Sequence, residues 1–230
     1  MEVIYDDNQI VVIIKPQNMP TQADPSGDED ALSAVKQFVK EKYQKPGEAF
    51  IGLVHRLDRP TGGVLVFARN SKAASRLSAQ MQNNEVEKTY FAVVKGKPKK
   101  PKARLENWLK KDPVSNKVTI CGMAETDARF AALEYEVIET KKDLSLLKIR
   151  LETGRSHQIR VQLAGIGNPI YGDAKYGAPD VPNASTKNLA LWAAGLEFRH
   201  PTQDQVMVFK VSPPEENYPF SLFNFADIKY

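Results

Sequence analysis

Residues 50–68 read Phe50-Ile51-Gly52-Leu53-Val54, then His55-Arg56-Leu57-Asp58-Arg59-Pro60-Thr61-Gly62-Gly63, then Val64-Leu65-Val66-Phe67-Ala68. Two apolar runs of strand length enclose a charged, glycine-rich turn. The pattern predicts two buried strands, Phe50–Val54 and Val64–Ala68, that present a polar loop. Loops held by rigid strands commonly carry catalytic groups. Asp58 has Arg56 and Arg59 as near neighbours in sequence, and a close guanidinium keeps a carboxylate ionised at neutral pH. An ionised, oriented carboxylate serves as a nucleophile or as a base. The glycines that follow let a large planar substrate approach the backbone. The same residues also fit a structural turn aspartate with two solvated arginines.

Outward from this stretch, the chain reads as strands with few helices. Glu2–Tyr5 and Ile10–Lys15 form two short strands around the Asp6-Asp7-Asn8 turn. Asp28 is expected to cap a helix from Glu29 to about Tyr43, with Leu32, Val35, Phe38 and Val39 on one face and Pro46-Gly47 as its stop. Asn70 or Ser71 caps a second helix, in which Ala74, Leu77 and Met81 share a face. Glu87–Lys95 is a strand. The span from Ala103 to Leu151 is strand-like and includes a hairpin, Asp127–Glu139 with Leu144–Leu151, around Lys141-Lys142-Asp143. Ser156 is expected to cap a short helix through about Ala164. A loop-rich tract follows, with Gly165, Gly167, Pro169, Gly172 and Gly177. Leu189–Leu196 and Val206–Val211 are the last strands. Strands outnumber helices without strict alternation, which predicts an α+β fold with a mostly antiparallel sheet.

A chain of 230 residues suits one large domain or two closely joined lobes. With 42% hydrophobic and 26% charged residues, it reads as a soluble globular protein. No apolar run approaches the ~20 residues of a membrane span, and the N-terminus lacks the signal-peptide pattern. A cytoplasmic location and no membrane partner are expected. The single cysteine, Cys121, excludes an intrachain disulfide. His55, His157 and His200 are far apart in sequence and read as hydrogen-bonded structural residues; no Cys/His spacing suggests a metal site. The net charge of +4 permits a polyanionic partner without demanding one. Its distribution is uneven, since Lys95, Lys97, Lys99, Lys100, Lys102 and Arg104 crowd one stretch. That tract suits phosphate contacts, or a solvated hairpin tip.

Two further segments carry candidate chemistry. In Thr153-Gly154-Arg155-Ser156-His157-Gln158-Ile159-Arg160, Ile159 and Leu163 share a helical face for the core, and Arg160 lies on another. A helix N-terminus loaded with Arg, Ser and Gln suits a phosphate or carboxylate; an amphipathic helix with a solvated face reads equally well. In Lys88-Thr89-Tyr90, Tyr90 could stack on a base, or simply pack.

Together these segments resemble the RluA-type family of RNA pseudouridine synthases. His55 to Ala68 resembles the family signature, in which the aspartate of the Arg-Leu-Asp triplet is catalytic. Lys88-Thr89-Tyr90 is similar to the second motif, whose tyrosine lies against the target base. Thr153 to Arg160 resembles the third, whose final arginine pairs with the catalytic aspartate. Pro169-Ile170-Tyr171-Gly172-Asp173 with Tyr176-Gly177, and Ile4-Tyr5-Asp6-Asp7 with Lys15-Pro16, extend the likeness over nearly the whole chain. Gly62 stands where the family usually has serine, and Gln162 where histidine is common.

The resemblance implies a pseudouridine synthase fold, with a mixed, mostly antiparallel central sheet flanked by helices and loops and an active site in a central cleft. It implies one catalytic domain over residues 1–230 without an N-terminal RNA-binding accessory domain. The implied reaction is isomerisation of a uridine in ribosomal or transfer RNA. Asp58, Tyr90 and Arg160 are the implied catalytic set. Arg56, Arg59, Arg155, His157, Lys97, Lys99 and Lys100 are the expected RNA contacts. No cofactor or metal is required, and a monomer is expected. Two other readings compete: an RNA-binding or RNA-folding factor that retains the fold, and an unrelated hydrolase using Asp58. The hydrolase reading lacks a nucleophile-elbow motif and a phosphate-binding glycine loop.

Overall fold

The computed structural model describes residues 1–44, 46–177, 189–226 and 228. The chain falls into two compact units, Met1–Glu87 with Gly195–Val211, and Lys88–Ala194 with Ser212–Tyr230.

In the first unit, β1 (Glu2–Asp6) and β2 (Ile10–Lys15) form an antiparallel hairpin. Asp7 closes its turn by accepting from the backbone N–H groups of Gln9 and Ile10. Helix α1 (Ala31–Lys42) follows, buried through Ala31, Val35 and Val39. Its N-cap is Asp30 rather than the expected Asp28. The Asp30 carboxylate accepts from the Ser33 N–H at 3.0 Å, which satisfies one of the helix's open donors. The expected strand Phe50–Val54 shrinks to β3 (Gly52–Leu53), because Phe50 is 52% exposed and packs into no sheet. β4 (Gly62–Ala68) is buried at every position and pairs antiparallel with both β2 and β3. Helix α2 (Ser71–Gln82) begins at Asn70, whose side chain accepts from the Ala73 N–H.

Alternate residues of β2 and β4 point to α2. Ile10, Val12, Val64, Val66 and Ala68 pack with Ala73, Leu77, Leu196 and Phe198 in one core. That core is why the two strands hold a fixed register, Ile10 opposite Ala68 through Lys15 opposite Gly63.

In the second unit, β5 (Glu87–Lys95, of which Lys88 onward belongs to this unit), β6 (Lys102–Asp112), β7 (Lys117–Cys121), β8 (Arg129–Lys141) and β9 (Leu144–Leu151) pair antiparallel in the order β5-β9-β8-β6-β7. Helix α3 (Gln158–Gly165) lays Val161 against Leu109, Val118 and Ala131. Ser156 does not cap it. The N-cap position is His157, in the left-handed region at φ 51°, with no side-chain cap bond. Of β10 (Leu191–Arg199), residues up to Ala194 belong to the second unit, and Gly195–Arg199 pair with β11 (Val206–Lys210) in the first. The result is α+β with antiparallel pairing, as the strand-rich pattern predicts.

Candidate active site

The Arg-Leu-Asp triplet is braced residue by residue in the first unit, and the loop after β2 supplies the braces. Leu57 is buried; the Thr21 hydroxyl donates to its carbonyl at 2.8 Å and accepts from its N–H at 3.2 Å. Arg59 is gripped by side chains of residues 24–28: its guanidinium bonds Asp24 at 3.3 Å, Ser26 at 2.8 Å and also Asp28. Asp58 lies between them, half-buried, and its carbonyl accepts from the Thr61 N–H at 2.9 Å. Gln17 reaches the Pro60 carbonyl at 3.2 Å. Arg56 is exposed.

Beneath this turn is Lys15, the last residue of β2, at 0% exposure. Its ammonium donates to the carbonyls of Pro16 at 3.0 Å, Met19 at 2.7 Å and Arg59 at 3.2 Å. Three N–H donors on three acceptors match the charged form. Burial nevertheless pulls its pKa down to about 7, partly offset by the negative charge of Asp58 and reinforced by the positive charge of Arg59. Lys15 therefore ties the loop after β2 to the turn and sits within electrostatic reach of Asp58. Its partner across the ladder is Gly63, at φ 118°, a conformation that favours glycine. The neighbouring Thr61 hydroxyl is buried with no hydrogen-bond partner among the described residues.

The second unit holds the other two motifs. Tyr90 is on β5, 8% exposed and opposite Ile149 of β9. Lys88 is half-buried, and burial lowers its pKa. Arg160, on α3, is buried and clamps Asp173 with two bonds, Nε to Oδ2 and NH2 to Oδ1, each 2.8 Å. The Tyr176 ring lies under its guanidinium at 5.1 Å. Asp173 Oδ1 also accepts from the N–H groups of Lys175 and Tyr176, so the tract after α3 wraps around one carboxylate. His157 Nδ1 meets the Tyr176 hydroxyl at 2.7 Å, and that hydroxyl accepts from Val118 N–H at 2.8 Å.

Gln158 organises the Thr153–His157 loop. Its carbonyl oxygen accepts from the Thr153 hydroxyl at 2.7 Å and the Arg155 N–H at 3.0 Å, while its amide donates to Ala132 at 3.0 Å. The buried Gln162 amide donates to the Leu105 and Ala131 carbonyls and to the Asn107 side chain. Lys97, Lys99 and Lys100 are exposed in the turn between β5 and β6. Lys102 and Arg104, from the same basic tract, instead pair with Glu136 and with Glu106 and Glu152.

The candidate residues thus lie on both units: Arg56, Asp58 and Arg59 on the first, and Tyr90, Lys97, Lys99, Lys100, Arg155, His157 and Arg160 on the second. Sequence reading missed the roles of Lys15, Thr21 and Asp173. The signal for Lys15 was a lysine ending the apolar run Ile10-Val11-Val12-Ile13-Ile14. Among the described residues, no helix is long and apolar enough to cross a membrane.

Residues 9–165 match the family described as RNA pseudouridylate synthase. An RNA pseudouridine synthase of Aquifex aeolicus is 34% identical over 224 residues, covering 94% of this chain and 70% of that protein. The ribosomal large subunit pseudouridine synthase D of Vibrio cholerae is 29% identical over 244 residues, covering 100% of this chain and 72% of that protein. Among solved structures, human RNA pseudouridylate synthase domain containing 4 shares the fold, with a TM-score of 0.76 at 22% identity over 93% of this chain and 88% of that one. On that family match and that likeness over nearly its whole length, this chain belongs to the RNA pseudouridylate synthase family, whose members are isomerases.

Proposed function

We propose that this chain converts a specific uridine of ribosomal or transfer RNA to pseudouridine, with Asp58 as the carboxylate that starts glycosidic cleavage. The observation that carries this reading is the braced triplet. Leu57 is fixed by Thr21, Arg59 by Asp24, Ser26 and Lys15, and the backbone of Asp58 by Thr61. A carboxylate on so constrained a backbone loses little freedom when substrate binds, which is the advantage of a preorganised catalytic group.

In this reading the target uridine leaves its stack before it reacts, as enzymes acting on a base require. Arg56 holds the vacated space or the backbone. Asp58 breaks the nitrogen–carbon glycosidic bond, and the freed uracil turns and rejoins the sugar through carbon. Tyr90 stacks on the base and assists removal of the proton from the new carbon junction, while the ring nitrogen freed from the sugar takes up a proton. Arg160 keeps Asp58 ionised, and within its own unit the Arg160 guanidinium is held by Asp173. Substrate and product are isomers, so no group enters from outside. The ribosomal substrate named for the Vibrio cholerae relative supports ribosomal RNA as the first to test.

The test is pseudouridine mapping of total RNA from the source organism with and without the gene. Loss at a defined position, restored by the wild-type chain and not by Asp58→Ala, is the expected result. An Asp58→Asn protein that still forms pseudouridine would disprove the catalytic assignment. Purified protein that remodels RNA equally well with and without Asp58, and forms no product, would favour an RNA-folding role.

A further inference from the structure

Trp108 on β6 lies directly opposite Phe130 of β8 and opposite Cys121 of β7. Residues directly opposite in antiparallel strands share a face. The two rings meet edge to face, with centroids 5.7 Å apart and planes at 65°. Phe130 is 37% exposed and Trp108 half-buried. On the same face, the charged residues largely neutralise one another: Arg104 with Glu106 and Glu152, Arg150 with Glu134, and Lys102 with Glu136.

Arg155 differs from those cations. It is exposed, and its Nε donates to the Phe130 carbonyl at 2.9 Å rather than to an acid. The loop that carries it is fastened to β8 beside the aromatic pair. The Ala132 N–H donates to the Thr153 hydroxyl at 2.9 Å, and Gln158 bridges the Ala132 carbonyl to the Arg155 N–H. The Trp108 ring and the Arg155 guanidinium are therefore both tied to Phe130, one through its ring and the other through its carbonyl.

We propose that Trp108, Phe130 and Arg155 form a stacking site for an unpaired nucleotide of the RNA, distinct from the residues that handle the target uridine. It rests on the reading that this chain acts on RNA. An aromatic face takes a base of any sequence, and a guanidinium beside it takes the adjoining phosphate. A protein partner fits less well. Two rings on an otherwise charged face fall well short of the ~800 Å² per partner of a stable protein interface.

The chain has two tryptophans, and Trp192 is 5% exposed, so a nucleotide stacking at Trp108 has its own optical signal. The experiment titrates wild type, Trp108→Phe and Trp108→Ala with a short single-stranded oligouridylate, following both emission and affinity. Wild-type emission should be quenched, Trp108→Phe should lose the quench and keep affinity, and Trp108→Ala should bind about fivefold or more weakly. Unquenched emission, or a folded Trp108→Ala protein with wild-type affinity, would overturn the site while leaving the proposed RNA activity standing. Quenching of the wild type needs no variant, so it still decides if Trp108→Ala does not fold. A wild type that binds neither oligouridylate nor ribosomal or transfer RNA would overturn this site together with the reading beneath it.

Discussion

Arg160 and Asp173 form a buried, two-bond ion pair within the second unit, with Nε to Oδ2 and NH2 to Oδ1 both at 2.8 Å. The arginine that the sequence motif assigns to the catalytic aspartate is thus also the anchor of the Asp173–Tyr176 tract. Removing one member of a buried pair leaves the other charge in a low-dielectric site, at a cost of about 3 to 5 kcal/mol. Asp173→Asn keeps the shape and loses the charge, so it should be destabilised on that scale in a denaturant titration. Because Arg160 then loses its fixed orientation, turnover should fall further than RNA affinity. An Asp173→Asn protein as stable as wild type would mean that the pair contributes no net stabilisation.

Lys15 supplies a pH-dependent term with a definite sign. Unfolded, it keeps its proton to about 10.5; folded, burial lets it go near pH 7. Between those values the unfolded chain binds more protons, so stability from this group rises with pH and its burial cost is full below about pH 7. Lys15→Met removes the term. The stability of wild type relative to Lys15→Met should therefore grow between pH 7 and 10, by up to about 1.4 kcal/mol per pH unit. The loop tie behaves in the opposite sense, because a neutral amine has two N–H donors for three carbonyls. A parallel pH course for the two proteins would show that folded Lys15 stays charged.

Much of this was legible in the residues. β2 and β5 keep the bounds read from the sequence, Ile10–Lys15 and Glu87–Lys95, because each centres on an apolar run that the fold buries. The errors fall where a polar side chain had more than one use. Asp28 and Asp30 both precede α1, and either carboxylate could cap it. Tertiary structure chose, because Arg59 of the signature turn takes Asp28 and leaves Asp30 at 4% exposure against Ser33. Ser156 failed as a cap because the helix starts one residue later than expected, with His157 at the N-cap position and the Gln158 N–H taken by the Arg155 carbonyl. The polar turn that holds Asp58, ahead of a buried strand, was readable from its pattern. Its supports were not, because Thr21 and Asp24 come from a stretch with no periodicity, and only the fold returns that stretch to residues 57–59.

The division of labour between the two aspartates is itself testable. Asp30→Ala removes bonds to the Ser33 N–H and hydroxyl at a buried cap and should cost about 0.5 to 2 kcal/mol. Asp28→Ala breaks an exposed contact to Arg59 and should leave the melting midpoint close to wild type. Its effect should appear in turnover, through a looser Asp58 turn. If Asp28→Ala proved the more destabilising of the two, the cap assignment would be reversed.

Lys97, Lys99 and Lys100 differ from Lys102 and Arg104 in one respect that matters for RNA. The latter two have acidic partners, and the former three are exposed in a turn. An acid already beside a cation opposes its use on a phosphate, since that carboxylate either repels the phosphate or must be displaced. The three turn lysines should therefore carry the sequence-independent part of binding. Each phosphate contact contributes about 0.7 to 0.9 to the slope of log affinity against log salt. Replacing all three by glutamine should flatten that slope by roughly 2 to 3 if each meets one phosphate. The same replacement should leave turnover at saturating RNA unchanged, because none of the three lies in the Asp58, Tyr90 or Arg160 motifs. A slope identical to wild type would remove the turn from the RNA interface and shift the search for phosphate contacts to Arg56 and Arg155.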